Sequence, residues 1–135
     1  KNILFNPEES IDLSGNTGPF IQYAYVRIQS ILKKVNKDIL IDKNYKLNEK
    51  EKEVIKTIYE YPSVIITSYK ELSPALIANY LYDLVRNYNS LYQNYHILNS
   101  ETKESTSVRL SISQKTSHII ESACELLGID LPDRM

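Results

Sequence analysis

The sequence has few residues that break helices. Its 135 residues include 3 Gly and 5 Pro, and tryptophan is absent. Glycine and proline oppose a continuous helix more strongly than any other residue, so long stretches of this chain contain nothing that would interrupt one. The composition therefore favours an all-α fold, and the length suits a single domain.

Cysteine is also scarce, and histidine nearly so. Cys124 is the single cysteine, so neither an internal disulfide nor a cluster of thiolate metal ligands is available. We interpret it as a small buried hydrophobic residue, and we expect a reducing, cytoplasmic environment. His96 and His118 stand far apart without an acidic ligand pattern, which argues against a metal site.

Long apolar runs and catalytic motifs are missing as well. No run approaches the roughly 20 residues that span a bilayer, so we expect no membrane association. No signal peptide is visible in residues 1–13. The sequence has no nucleophile elbow, Walker loop or dinucleotide-binding glycine pattern. We therefore expect no catalytic residue in this chain, and its start without Met indicates part of a longer protein.

Charge limits the ways in which the chain can bind nucleic acid. The formal net charge of −1 argues against binding by bulk electrostatic attraction. It leaves open the recognition of splayed single-stranded bases on aromatic faces. The chain has 11 Tyr and 2 Phe for that purpose, although ordinary packing in the core would explain any one of the tyrosines.

Apolar residues recur at intervals of three and four, which is typical of amphipathic helices. We predict an antiparallel bundle of about five helices with short connections. The predicted helices cover residues 19–35, 48–62, 63–71, 73–95 and about 107–127. Pro62 is expected to end the second helix. The β-branched run at 64–67 is also compatible with a short strand, although its neighbours favour a helix.

Three segments, taken in order, resemble one protein family. Residues 15–32, GNTGPFIQYAYVRIQSIL, are similar to the pattern G-x-T-G-P-Y-x-Q-Y-A-x-A-R, which opens the anticodon-binding domain of arginyl-tRNA synthetases. LYDL at 81–84 and YNSLY at 88–92 are similar to its Y-L-Y-D-L and F-N-x-F-Y. The final residues 126–135, LLGIDLPDRM, are similar to its C-terminal L-L-G-I-x-x-P-E-R-M.

The resemblance implies a helical domain over residues 14–135 that receives the anticodon stem-loop of the arginine tRNA. Residues 1–13 would lead into it from an upstream catalytic domain of the same chain. The family's HIGH and KMSKS signatures belong to that domain, and neither occurs here. The longer protein would be a cytoplasmic arginine–tRNA ligase, expected as a monomer, that uses ATP with magnesium. This region by itself would be non-catalytic and hold no cofactor.

The resemblance also implies individual site residues. Phe20 and Ala24 would belong to the surface that meets the anticodon loop. Tyr92 would pack against the middle anticodon base, a cytosine, and Met135 would help to close that pocket. The chain departs from the family at Phe20, where tyrosine is usual. Phenylalanine keeps the stacking face and loses the hydroxyl, so a hydrogen bond from this position is not expected.

Helical spacing gives an independent argument. Phe20, Ala24 and Arg27 lie at i, i+4 and i+7, hence on one helical face. By spacing alone, Phe20 is as readily explained as the first residue of the core. The candidate contacts to the RNA backbone are Arg27, Lys33, Lys34, Arg86 and Arg109. Each is also explained as an ordinary surface charge, and Arg109 as part of a structural ion pair.

Two other functions remain open on the sequence. One is the helical anticodon module of another synthetase, such as the β subunit of a glycyl enzyme. The other is a helical bundle that docks onto a protein partner. An exposed apolar surface without nearby basic residues would favour the second alternative.

Overall fold

The computed structural model describes residues 6, 7, 15, 17–35, 42 and 44–135. Within these ranges all regular structure is helical, which confirms the predicted all-α class. The helices are α1 (Gly18–Leu32), α2 (Glu49–Glu71), α3 (Ala75–Asn94) and α4 (Lys103–Leu127). The predicted leading segment, residues 1–13, lies outside the described residues except for Asn6 and Pro7.

The predicted number of helices is wrong for the described part of the chain, which has four. The stretches 48–62 and 63–71 form one helix, α2, with Pro62 in its interior. Pro62 is exposed. A proline has no N–H to donate to the carbonyl four residues earlier, but on the solvent side of a helix water can donate to that carbonyl instead. The β-branched run at 64–67 is consequently helical and does not form a strand.

The starts of α1 and α2 agree with the sequence pattern. The N–H of Phe20 donates to the side-chain oxygen of Thr17 at 3.3 Å, so Thr17 caps α1. Asn48 and Glu51 form a reciprocal capping box at the start of α2. Each pairing satisfies backbone donors that a helix start leaves free, and this fixes where the helix begins.

The start of α4 differs from the prediction. The helix begins at Lys103, about one turn before Ser107. Thr102 and Ser105 exchange side-chain and backbone hydrogen bonds at this end, with serine where a capping box usually has Glu or Gln. Gly128 ends α4 with a φ of 69°, in the left-handed conformation that glycine adopts readily.

Successive helices alternate in direction, as predicted for an antiparallel bundle. The hydroxyl of Tyr25 in α1 donates to Glu121 in α4 at 2.7 Å. One turn further along α1, Gln29 donates to Ser117, which precedes Glu121 in α4. The order of these contacts makes α1 antiparallel to α4. Phe20 contacts Tyr82, and further along both helices Arg27 contacts Tyr92, so α1 and α3 run in the same direction. A short turn at residues 72–74 joins α2 to α3, so α2 runs opposite to both.

The core collects apolar side chains from all four helices. Fully buried members are Ala24, Ile28, Val54, Leu84, Val85, Tyr88, Leu91, Ile120 and Ala123. The Tyr88 hydroxyl lies 2.8 Å from Ser113 Oγ, so the buried phenol keeps a polar partner. Burial raises the pKa of Tyr88 to about 12. Cys124 is buried among these residues, as predicted.

A buried ion pair joins α2 to α4. Arg109, 2% exposed, donates from Nε to Glu51 at 2.8 Å and from Nη1 to the carbonyl of His96 at 2.9 Å. Its Nη2 lies 3.1 Å from Glu101. Glu51 also accepts the Asn48 N–H of the capping box. The pair therefore couples the start of α2 to α4 and to the loop before α4.

Candidate nucleic-acid interface

One side of α1 is committed to packing within the domain. Besides Tyr25 and Gln29, Gln22 donates to the backbone carbonyl of Asp130 at 2.7 Å, which fastens the C-terminal tail to α1. Burial and the carboxylates of Glu121 and Asp133 raise the pKa of Tyr25 to about 12. These groups have partners and are not available to a ligand.

The other side of α1 faces α3 and solvent. Phe20, Tyr23 and Arg27 share it, because they follow one another at helical intervals of three and four. The Phe20 ring is partly buried, and its centre lies 5.4 Å from that of Tyr82 in α3, with the planes tilted by 45°. This geometry is common for interacting aromatic pairs, so Phe20 is packed at the rim of the core and is also part of the surface.

Arg27 lies between two tyrosine rings. Its Cζ is 4.9 Å from the ring centre of Tyr23 and 4.8 Å from that of Tyr92. The tyrosines are 44% and 39% exposed. A guanidinium over an aromatic face contributes about 0.5–2 kcal/mol. The stack thus fixes both rings and joins α1 to the last turns of α3.

A second arginine lies beside a tyrosine on α3. The Cζ of Arg86 is 5.9 Å from the centre of the Tyr82 ring, and its Nη2 lies 3.2 Å from Asp83. With the first stack it makes a continuous strip across α1 and α3. We call this strip the aromatic surface; it consists of Phe20, Tyr23, Arg27, Tyr82, Arg86 and Tyr92.

Arg27 contacts tyrosine rings and no carboxylate within the described residues. No carboxylate among the described residues forms an ion pair with it. Its Nε is buried and lacks a hydrogen-bond partner in the described part of the chain, as does Oδ1 of Asn89, one turn before Tyr92. An unsatisfied buried donor costs about 1–3 kcal/mol. Within the described residues, the two tyrosine rings are therefore the groups that stabilise the Arg27 guanidinium.

The structure brings together only some of the predicted site residues. Phe20, Arg27 and Tyr92 lie on the aromatic surface. Ala24 has no exposed area, so it lies beneath this surface and not on it. Met135 is 59% exposed at the end of the tail that Gln22 fastens to α1.

The candidate backbone contacts also separate into two groups. Lys33 and Lys34 are exposed directly after the end of α1, one to two turns beyond Arg27, and Arg86 is exposed beside Tyr82. Arg109 is different: its guanidinium is buried against Glu51 and Glu101. The structure therefore shows the ion pair that the sequence left open as its alternative, and Arg109 is withdrawn as an RNA contact.

Two residues of the aromatic surface were not named as site residues from the sequence. Tyr23 and Tyr82 each stand four residues before an arginine, Arg27 and Arg86. On a helix, that spacing places a ring and a guanidinium side by side. The signal was therefore present in the sequence, but it does not reveal that the two pairs lie on neighbouring helices.

This strip of partly exposed aromatic rings, with an arginine that pairs with no carboxylate among the described residues, has the chemistry of a surface on which unpaired bases stack. The sequence pattern of the DALR anticodon binding domain family matches residues 21–135. The chain belongs to this family. An anticodon-binding family argues against a docking bundle, and the relatives described next favour an arginyl enzyme over another synthetase.

Relatives of this DALR domain are arginine–tRNA ligases. The chain is 55% identical over 135 residues to the enzyme of Flavobacterium psychrophilum, where it matches 22% of the protein. It is 43% identical to the enzyme of Parabacteroides distasonis, with 24% matched. Both alignments use 100% of this chain. The chain thus spans about a quarter of the length of the curated relatives it matches.

Solved structures show the same fold. The arginyl-tRNA synthetase of Thermus thermophilus superposes with a TM-score of 0.92 at 27% identity, covering 100% of this chain and 24% of that one. A putative arginyl-tRNA synthetase from Campylobacter jejuni superposes with a TM-score of 0.74 at 21% identity, over 92% and 27% of the two chains. Within the described ranges of the present DALR domain, no helix is both long and apolar enough to cross a bilayer, and no group of three His, Cys, Asp or Glu residues is placed to hold a metal.

Proposed function

We propose that this DALR domain binds the anticodon loop of the arginine tRNA through the aromatic surface, as part of an arginine–tRNA ligase. The observation that carries the proposal is the stack of Arg27 between Tyr23 and Tyr92. It presents two half-exposed rings around an arginine that no carboxylate among the described residues neutralises.

The chemistry of this surface suits unpaired bases. A flat ring accepts any nucleobase by stacking, and one such contact is worth about 1–3 kcal/mol. Tyr92 and Tyr23 each have an open face or edge, since about two-fifths of each side chain is exposed. Two stacked bases therefore provide useful affinity in a domain whose net charge is only −1.

Positive groups border the rings and suit the phosphates between the bases. Arg27 and Arg86 lie on the aromatic surface, and Lys33 and Lys34 extend it past the end of α1. Arginine presents a planar set of donors that matches a phosphate in a fixed orientation, whereas lysine acts as a mobile point charge. We therefore assign orientation of the loop to the two arginines and a general attraction to the two lysines.

Specificity for the middle base of the anticodon is a further part of the proposal. Tyr92 provides the stacking face, and Met135 would close the pocket from the tail. Gln22 fastens the tail at the level of Phe20 and Tyr23 but on the other side of α1, so this role requires residues 131–135 to reach around the helix. Ala24, buried below Phe20 and Tyr23, would act by keeping their turns of α1 close to the core.

The remaining reaction is assigned to the rest of the protein. We propose that ATP, with magnesium, and arginine bind to an upstream catalytic domain, and that the whole ligase is a cytoplasmic monomer. This domain contributes none of the reacting groups. Its role is to place the correct tRNA so that the acceptor end reaches the catalytic site.

Tyr92 gives the decisive experiment. In the full-length ligase, Tyr92→Ala should weaken binding of the arginine tRNA several-fold, while Tyr92→Phe, which keeps the ring, should bind nearly as well as the wild type. His118→Ala, which removes an exposed ring on α4, is the control. Filter binding with a tRNA whose middle anticodon base is replaced should show less discrimination for Tyr92→Ala. Unchanged binding by a folded Tyr92→Ala protein would overturn the assignment.

Removal of Met135 tests the tail separately. The residue is exposed, so its deletion should change the midpoint of urea unfolding little. Discrimination between the natural and the replaced middle base should fall if the methionine closes the pocket. Equal discrimination with and without Met135 would exclude this role and leave the stacking role of Tyr92 standing.

A further inference from the structure

The solvent side of α2 has an apolar stripe that the aromatic surface does not include. Tyr59, Pro62, Ile66 and Tyr69 follow one another at intervals of three, four and three, so they share one helical face. Tyr59 is 85% exposed, Ile66 is 55% exposed and Tyr69 is 79% exposed. Large apolar residues in a row on a surface mark an interaction site more often than isolated ones do.

Leu72 extends this stripe past the end of α2 in an unfavourable conformation. Its φ is 50°, in the left-handed region that a side chain with a Cβ rarely adopts, and it is 86% exposed. Its N–H donates to the carbonyl of Tyr69, and the N–H of Ser73 donates to the carbonyl of Ser68 at 3.0 Å. Glycine or asparagine fits such a helix end better. A leucine here contributes little to the domain's own core, which points to a contact outside it.

The charges around the stripe are balanced. Lys56, Glu60, Lys70 and Glu71 are the charged residues of the stretch 56–72, and they sum to zero. A surface that binds nucleic acid gains most of its affinity from positive charge, so RNA is a poor match for this face. The exposed apolar groups match a protein surface.

The position of the stripe indicates which protein surface. Because α1 is antiparallel to α2, the end of α2 with Tyr69 and Leu72 is also the end at which α1 begins at Gly18. The relatives are about four times as long as this chain, and their additional protein precedes the matching region. A tethered partner has a high effective concentration, so a narrow apolar strip suffices to hold it.

We propose that Tyr59, Pro62, Ile66, Tyr69 and Leu72, the α2 stripe, dock against the part of the same polypeptide that precedes this domain. The inference rests on the proposed function in one respect, namely that the chain is one region of a longer ligase. The contact would orient the aromatic surface relative to the catalytic part. The stripe lies on α2 and the aromatic surface on α1 and α3, so the two contacts share no residue.

A photo-crosslinking amino acid in place of Tyr69 in the full-length ligase tests the contact. The same amino acid in place of Gln114, which is exposed on α4, is the control. Irradiation followed by peptide mass spectrometry should join position 69, but not position 114, to upstream residues of the same chain. Crosslinks from position 69 to a second copy or to added tRNA, or no crosslink at all, would overturn the proposal.

Leu72→Asn provides a second measurement in which loss of folding is not a concern, because asparagine tolerates the left-handed conformation. The substitution should lower the crosslink yield from position 69 several-fold and leave the urea midpoint of this domain unchanged or higher. An unchanged yield would contradict a docking role for Leu72. Crosslinking is measured without tRNA, so its failure is distinct from failure of the Tyr92 experiment.

Discussion

Cζ of Arg27 lies 4.8 Å from the centre of the Tyr92 ring, and this contact joins the second half of α1 to the last turns of α3. The two residues are 65 positions apart in the sequence. The parallel course of α1 and α3 also brings Phe20 to Tyr82 near the other end of the same strip. Each helix supplies an aromatic–arginine pair, and their packing makes one surface from the two.

Arg27→Lys should separate the role of charge from that of shape. Lysine keeps the positive charge but cannot lie flat between Tyr23 and Tyr92. We expect tRNA affinity to fall several-fold for Arg27→Lys and further for Arg27→Ala. In a salt titration, Arg27→Ala should reduce the slope of log affinity against log salt by roughly 0.7–0.9, the amount for one phosphate contact. An unchanged slope would show that Arg27 acts only through the rings.

Glu51→Gln should strongly destabilise the domain. The substitution leaves Arg109 buried with its main counter-charge removed, and breaking a buried ion pair costs about 3–5 kcal/mol. Lys52→Ala is the matched control, because its pair with Glu49 is exposed on the same turn of α2, and such pairs contribute less than about 1 kcal/mol. Urea unfolding followed by circular dichroism measures both. A similar small decrease in unfolding free energy for the two variants would mean that Glu101 and the His96 carbonyl are sufficient to stabilise the buried charge of Arg109.

Gly128→Ala and Gly18→Ala should change stability in opposite directions or by clearly different amounts. A Cβ at either position meets no atom within 4 Å, so sterics do not distinguish them. Gly128 has a φ of 69°, where alanine costs roughly 1–2 kcal/mol. Gly18 begins α1 without that constraint, and alanine there should be neutral or stabilising by up to about 1 kcal/mol. Equal losses of stability would contradict the left-handed end of α4.

The buried thiol should make the domain sensitive to alkali. Burial raises the pKa of Cys124 from 9.0 to about 11, so above pH 9 the unfolded chain loses a proton that the folded chain retains. Stability therefore falls as pH rises from about 9 to 11, by up to about 1.4 kcal/mol per pH unit for this group. Cys124→Ala should reduce the slope of unfolding free energy against pH in that interval. An identical slope for the wild type and Cys124→Ala would mean that tyrosines such as Tyr88 account for the whole loss of stability in this pH interval.

Local signals in the sequence predicted much of the helical structure. The predicted starts at 19 and 48 and the predicted end at 127 lie within one residue of the observed ones, because caps such as Thr17, the Asn48–Glu51 box and Gly128 act over a few residues. The prediction that Pro62 ends a helix was wrong, because a proline is tolerated inside a helix when its side of the helix faces water. Whether Arg109 was a surface charge or a buried partner of Glu51 was equally undetermined, because the two residues meet only after α2 and α4 pack.

The sequence alone determined the all-α class, most helix boundaries and the membership of the family, since periodicity, caps and ordered motifs are properties of the chain read along its length. It also contained the pairs Tyr23–Arg27 and Tyr82–Arg86, which helical spacing brings together. The tertiary structure decided that both pairs share one face with Tyr92, that Ala24 lies below that face, and that the α2 stripe remains uncovered. These facts depend on how helices distant in sequence are oriented and packed, which no local pattern specifies.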